Sequence, residues 1–428
     1  MIKKIFFYFP LFIVAALGLG AAQANANVSH TVSTVVASAN ADIKSGNYAL
    51  AATLLNATRK TDHVAIDDKI LQAAVATTYR FWSESFYRKG QLQPALDKIQ
   101  QAATIAAQSG DATEQAKDLM SCGLLDDTLL KHDKAISDYV AAIAAAGKAH
   151  DQKSIAESAE SIGHICITTG SFSRGLPYDQ QADTIAARMH DVPLETISFT
   201  TTGQTYRALG QYSKALLFFQ RSLPLAVKTK NIAAQATDTA GLGGINTDTG
   251  KYKIALPYDL QATALYARIG DQPSLEISGA YAGKAYQALN QLSNAASLYK
   301  QSLAASVICK DTDMQAYDLT NLAGVYTADG KFSDALDSDQ QSLALDTKLG
   351  NQHNIELDLN NIGSDFSRLK KYSDAESYCL QSYKMAEKEG DKLRQHADLL
   401  NLAKLSFELG QHDKADKYAQ QAAALGIK

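Results

Sequence analysis

The sequence predicts an all-α fold: a right-handed α-solenoid of about ten antiparallel helix pairs. Three observations carry this reading. A turn residue recurs every 40 residues, at Gly90, Leu130, Gly170, Gly210, Gly250, Asn290, Gly330, Lys370 and Gly410. Three columns at fixed distances from that marker hold only small residues. The starts of the helices are punctuated at the same interval by residues suited to cap them.

The columns lie five residues after the marker (Ala95 to Ala415, with Gly175 the one departure from Ala), twelve after it (Ala102 to Ala422, Ala or Ser), and seven before it (Ser83 to Ala403, Gly, Ala or Ser). Small residues at fixed places in a helical pattern mark where two helix axes approach closely, because a larger side chain would push the backbones apart. Two of the columns are seven residues apart and so share a helix face. Each unit is therefore a tightly packed helix pair.

First helices are expected to open at Asp111, Asp151, Asp191, Asn231, Asp271, Asp311, Asn351 and Asp391, whose side-chain oxygens accept orphan backbone N–H groups. Second helices are expected to open at Asp133, Ser173, Ser213, Ser293, Ser333, Ser373 and Asp413. An irregular first unit, residues 27–63, is marked by Gly46 in "SGNYALAATLLNA". The 44 residues from Gly46 to Gly90 predict that the first helix of the next unit, near Val64 to Arg88, is longer than its successors.

Ahead of the array, residues 1–26 read as a secretory signal peptide: "MIKK", an apolar run, then small-residue cleavage sites after Ala24 or Ala26. The alternative is an uncleaved membrane anchor, because the apolar run is nearly long enough to span a bilayer. The expected location is periplasmic or secreted, with membrane contact only through an uncleaved leader or a membrane-bound partner. Without the leader the chain carries 39 Lys and Arg against 45 Asp and Glu. That balance argues against nucleic acid as a partner, since phosphate recognition needs a basic face.

"GQYSKALLFFQRSL" (Gly210–Leu223), "GKFSDALDSDQQSL" (Gly330–Leu343) and "NLAGVYTADG" (Asn321–Gly330) resemble the tetratricopeptide repeat signature. The forty-residue unit is most similar to the longer-helix variant found in kinesin light chains and in bacterial response-regulator-binding proteins. The resemblance implies a solenoid that binds another protein. Asp179, Asp259 and Asp339 depart from it by occupying a slot that is commonly aromatic, held in alternate units by Phe219, Tyr299 and Cys379. The reading here is that Tyr178 and Tyr258 take over the packing and each carboxylate finds a hydrogen bond or water, in preference to a buried functional carboxylate, because buried acids are rare unless paired.

No catalytic constellation emerges, and the chain is read as a non-enzyme with no cofactor and no metal. Cys122, Cys166, Cys309 and Cys379 form no CxxC pair and have no His at zinc-ligand spacing. They are expected as free thiols, in preference to a Cys122–Cys166 disulfide. "GLGG" (Gly241–Gly244) falls inside a first helix and "GSFSRG" (Gly170–Gly175) in a turn, so neither is a phosphate cradle or a nucleophile elbow.

Stacked helix pairs present their first helices along a concave wall suited to a polypeptide. One position there ends in Tyr281, Asn321, Asn361 and Asn401. An amide offers a donor and an acceptor, so the three Asn form a ladder able to hold a peptide backbone without reading its sequence. Similar ladders bind peptide backbones in the resembled family. Lys284, Arg368 and Lys404 lie on neighbouring turns and suit acidic groups. The function expected is an exported scaffold or adaptor that binds a protein or peptide in this groove. The alternative is a ligand- or peptide-binding sensor acting on a membrane signalling partner.

Overall fold

The computed structural model describes residues 30–61 and 65–427. The expected leader, residues 1–26, lies outside them. The described residues form helices and no strand, and the helices fall into two compact units, up to Leu225 and from Ala226 onward. The first holds α1 (His30–Lys44), α2 (Tyr48–Thr61), α3 (Ala65–Arg88), α4 (Leu92–Ser109), α5 (Ala112–Thr128), α6 (His132–Lys148), α7 (Gln152–Thr168), α8 (Phe172–Met189) and α9 (Val192–Ala208), and the dividing residues lie in α10 (Tyr212–Lys228). The second holds α11 (Ile232–Asp248), α12 (Tyr252–Ile269), α13 (Gln272–Ala288), α14 (Leu292–Cys309), α15 (Thr312–Ala328), α16 (Phe332–Leu349), α17 (Gln352–Arg368), α18 (Tyr372–Glu389), α19 (Lys392–Glu408) and α20 (His412–Ala424).

Within each unit, helices adjacent in sequence pack against each other, which is the α-solenoid expected. Odd-numbered helices are the first of each pair. They also touch one another across pairs, as α5 with α7 and α13 with α15 do, so they form one layer and the even-numbered helices another. At 24 residues, α3 exceeds the 17 of α5 and of most later first helices, as the long first interval required.

The small columns meet where the two helices of a pair are closest. Tyr139, Phe219 and Tyr299 lay their rings on Gly123, Gly203 and Gly283, and a Cβ on Gly203 would fall 2.7 Å from the Phe219 ring. In alternate pairs the carboxyls of Asp179 and Asp259 sit on Gly163 and Gly243 instead. Serines in the second-helix column donate to first-helix carbonyls 26 residues earlier: Ser222 to Thr196 O (3.0 Å), Ser302 to Glu276 O (2.7 Å) and Ser342 to Ala316 O (3.2 Å). A hydroxyl thus fits where Ala does, because its proton has a fixed acceptor.

The marker takes the left-handed backbone even where it is not glycine: φ is 60° at Leu130, 57° at Asn290 and 59° at Lys370. The preceding helix ends there in a Schellman-type closure, with Lys331 N–H donating to Tyr326 O at 2.8 Å and Gly330 N–H to Thr327 O at 3.1 Å. First-helix caps are as expected. Asp111, Asp151, Asp191, Asn231, Asp271, Asp311 and Asp391 each accept a backbone N–H three residues on, while Asn351 is the N-cap without that side-chain bond. Second helices begin one residue before the expected openings, at residues such as Phe172, Phe332 and Tyr372. Their N-caps are residues such as Ser171, Lys331 and Lys371, and none makes a side-chain cap bond. Ser173, Ser333 and Ser373 are therefore second residues of their helices, because the tight closure of the first helix leaves only one residue between the left-handed marker and the start of the second helix. All four cysteines are free thiols, with Cys122, Cys166 and Cys379 buried.

Candidate peptide-binding face

The seven residues singled out for binding all lie on first helices of the second unit. Tyr281 and Lys284 are on α13, Asn321 on α15, Asn361 and Arg368 on α17, and Asn401 and Lys404 on α19. Their helices repeat at forty residues, so the ladder position recurs on the same side of each. Tyr281, Lys284, Asn321 and Asn361 are half-buried, and Asn401, Arg368 and Lys404 are exposed.

The amides are not equivalent. Asn321 Nδ2 donates to Tyr317 O of its own helix at 2.7 Å, which fixes the side chain and directs its function toward acceptance at Oδ1. Asn361 lies against Asp339 of α16 and donates to that carboxyl. Asn401 is the open rung. Tyr281 places its hydroxyl 3.5 Å from Asp248 of α11. Lys284 and Lys404 stand three residues beyond the ladder position, on the adjacent surface of the same helix. Arg368 is seven residues past Asn361 and leans over the Phe332 ring, 5.4 Å from its centroid, so it belongs to the turn end of the face and not to the row of amides.

The structure adds two columns to those singled out from the sequence. Four residues before the ladder stand Ile277, Tyr317 and Leu357, which are 50%, 46% and 48% exposed. They form an apolar row beside the amides, and their signal in the sequence is the same forty-residue interval. The second column lies twelve residues before the marker: Asp118, Ser158, Ser198, Asp238, Ser278, Asp318, Asp358 and Asp398, all buried. It joins neighbouring pairs. Asp398 accepts from Ser382 (2.9 Å) and Asn360 (2.8 Å), and Asp118 accepts both arms of the Arg80 guanidinium at 2.7 Å.

Four buried carboxyls of the second unit, Asp318, Asp339, Asp358 and Asp365, are held above their ordinary range. Burial raises Asp318 and Asp358 to about 7, the latter also through Asp346 beside it. Ser302, alongside Asp318, donates its proton to Glu276 O and so gives that carboxyl little support. Asp339 of α16 faces Asp365 of α17, and burial followed by the neighbouring carboxylate pushes Asp339 upward. Of the three acids in the usually aromatic slot, Asp259 accepts from Thr247 at 2.8 Å and Asp339 lies between Asn361 and Asp365, so both have the expected hydrogen bond, whereas both carboxyl oxygens of Asp179 are buried without one, because the position packs them directly on Gly163. Among the described residues no group of three or more His, Cys, Asp and Glu is placed to hold a metal, and no helix is long and apolar enough to cross a membrane.

Paired helices at a forty-residue period, with small residues at each closest approach, define a helical-repeat protein. Residues 313–388 match the tetratricopeptide repeat family model, so the resemblance read from the signature holds. The chain is similar in fold to a signal transduction ATPase with numerous domains from Pyrococcus horikoshii, which has a tetratricopeptide repeat sensor; the TM-score is 0.59 at 13% identity, over 83% of this chain and 54% of that one. This chain thus spans about half the length of that ATPase. Also similar are kinesin light chain repeats from Podosopora anserina (19% identity, 45% of this chain and 95% of that one, TM-score 0.40) and the apo quorum sensor NprR from B. thuringiensis (11%, 93% and 99%, 0.46). None of the curated proteins matches the chain by sequence.

Proposed function

We propose that the chain is a non-catalytic scaffold that holds an extended peptide segment of another protein along the first-helix face of residues 226–428. The observation that supports this is the pairing of two periodic rows, the apolar Ile277, Tyr317 and Leu357 beside Tyr281, Asn321, Asn361 and Asn401. Helices packed 8–10 Å apart repeat every ~3 residues of an extended peptide rising about 3.3 Å per residue. One amide and one apolar side chain thus meet every third residue of the ligand, the amide on its backbone and the apolar group on its side chain. Lys284 and Lys404 favour a ligand with acidic residues.

Replacing Asn321, Asn361 and Asn401 together by Ala tests the ladder. The helices should survive, since Ala is the better helix former. A partner captured with the intact protein should bind the triple variant on the order of tenfold more weakly, because each lost hydrogen bond costs roughly 0.5–1.5 kcal/mol. Calorimetry reads the affinity and circular dichroism the fold. Unchanged affinity in a well-folded variant removes the amides from the mechanism.

We also propose that the scaffold works outside the cytoplasm, on the strength of residues 1–26. Protein recovered from the cell envelope should begin at Asn25 or Asn27 and remain in solution when membranes are pelleted. An intact Met1 on membrane-bound protein establishes the anchor instead.

A further inference from the structure

The first unit contains an open cleft of about 510 Å³ between α2 and α4, with α3 beneath it. Its floor is aromatic. The Trp82 ring stacks with Tyr79 (centroids 6.3 Å, planes 10° apart) and, at its other edges, with Tyr48 and Phe86. The wall from α2 is built of small side chains at successive turns, including Ala49, Ala52 and Thr53, which are too short to cover those rings. Elsewhere in the array the second-helix position of Lys98 is held mostly by Tyr178, Phe218, Tyr258, Leu298, Tyr378 or Tyr418. Here a lysine replaces the ring that would fill the space.

Charge sets the kind of occupant. The lining contains Lys60 and Lys98 and no acid, in a chain whose net charge is −4. Lys98 Nζ sits 4.1 Å from the Trp82 centroid and reaches Gln101 Oε1 at 3.3 Å, and among the described residues neither lysine forms an ion pair. A cation resting on a ring face is partly desolvated, which strengthens its attraction for a carboxylate. The lining runs from Ala49 to Lys60 along α2. At 1.5 Å per residue that is about 16 Å, the length of roughly five residues of extended peptide. We infer that this cleft is a second binding site, separate from the first-helix face of residues 226–428, and that it takes a short acidic peptide segment bearing an aromatic residue. The aromatic group lies on Trp82 and Tyr79 while flanking carboxylates meet Lys60 and Lys98.

Trp82 is the chain's one tryptophan, so its emission reports the cleft without a label. The probe is the pentapeptide acetyl-Glu-Glu-Phe-Glu-Glu-amide, titrated into the 428-residue protein alongside its Gln-for-Glu analogue. The acidic peptide should change Trp82 emission saturably and bind at least tenfold more tightly than the analogue. The double variant Lys60→Gln and Lys98→Gln, checked for helicity, should reduce the acidic peptide to the analogue's affinity. Calorimetry on the same samples guards against a silent fluorophore. Equal binding of the two peptides, absence of both emission change and heat, or full affinity in a folded double variant each overturns the assignment.

Discussion

Replacing Phe219 by Ala should destabilise the first unit by about 3–5 kcal/mol. The ring is fully buried and rests on Gly203 of α9, a residue with no side chain to move into the void. The cavity therefore stays open, which places the loss at the upper end for large-to-small changes. In a quasi-linear array each pair contacts only its neighbours, so the loss should appear as early melting of part of the helical signal and not as collapse of the whole. At about 2–4 °C per kcal/mol for a unit of this size, thermal circular dichroism should show a component lowered by roughly 10 °C. A change of a degree or less would mean that the ring does not seal the α9–α10 contact.

Raising the pH from about 5 to 8.5 should weaken the second unit more than any single surface substitution. Asp339, Asp346, Asp358 and Asp365 are all buried where α16 and α17 meet, and Asp318 is buried on α15. Burial holds Asp318 and Asp358 near 7 and raises the Asp339–Asp365 pair, whereas an unfolded aspartate ionises near 3.9. The native state then binds more protons than the unfolded one, so stability falls as the pH rises. The contribution is fully present below about 4 and is lost progressively as the pH rises through about 7. A tenfold difference in proton affinity between the folded and unfolded chain corresponds to about 1.4 kcal/mol, so the summed effect is on the order of several kcal/mol. Melting at constant ionic strength should give a higher midpoint at pH 5 than at pH 8.5, and Asp339→Asn should flatten part of the slope. A midpoint that rises with pH contradicts protonated carboxyls in this interface.

The repeat makes the fold readable because close helix packing tolerates so little variation. The column from Ala95 to Ala415 is buried in every pair, and only Ala403 among the column seven before the marker is half-exposed. The second helix starts one residue earlier than Ser333 suggests, because the cap position is Lys331 and the backbone closure before it sets the turn. The buried acids are harder to see. Asp318, Asp358 and Asp398 recur as regularly as any glycine, yet an acid in a helical pattern reads as solvated surface, and the Asp398 partners Ser382 and Asn360 come from two other helices. The candidate face is legible as a row of amides. That Asn361 is partly engaged by Asp339, and that Ile277, Tyr317 and Leu357 stay exposed beside the row, depends on packing between pairs and not on spacing within one.

A crosslink locates most directly the protein partner proposed for the first-helix face of the second unit. A photoreactive phenylalanine analogue placed singly at Leu357, on α17 of that face, or at Gln341, an exposed site on the second-helix layer, leaves the fold intact because both positions face solvent. Irradiation in the presence of the captured partner should give a covalent product from position 357 and little or none from position 341. A product from 341 alone would place the partner on the opposite layer and contradict the account.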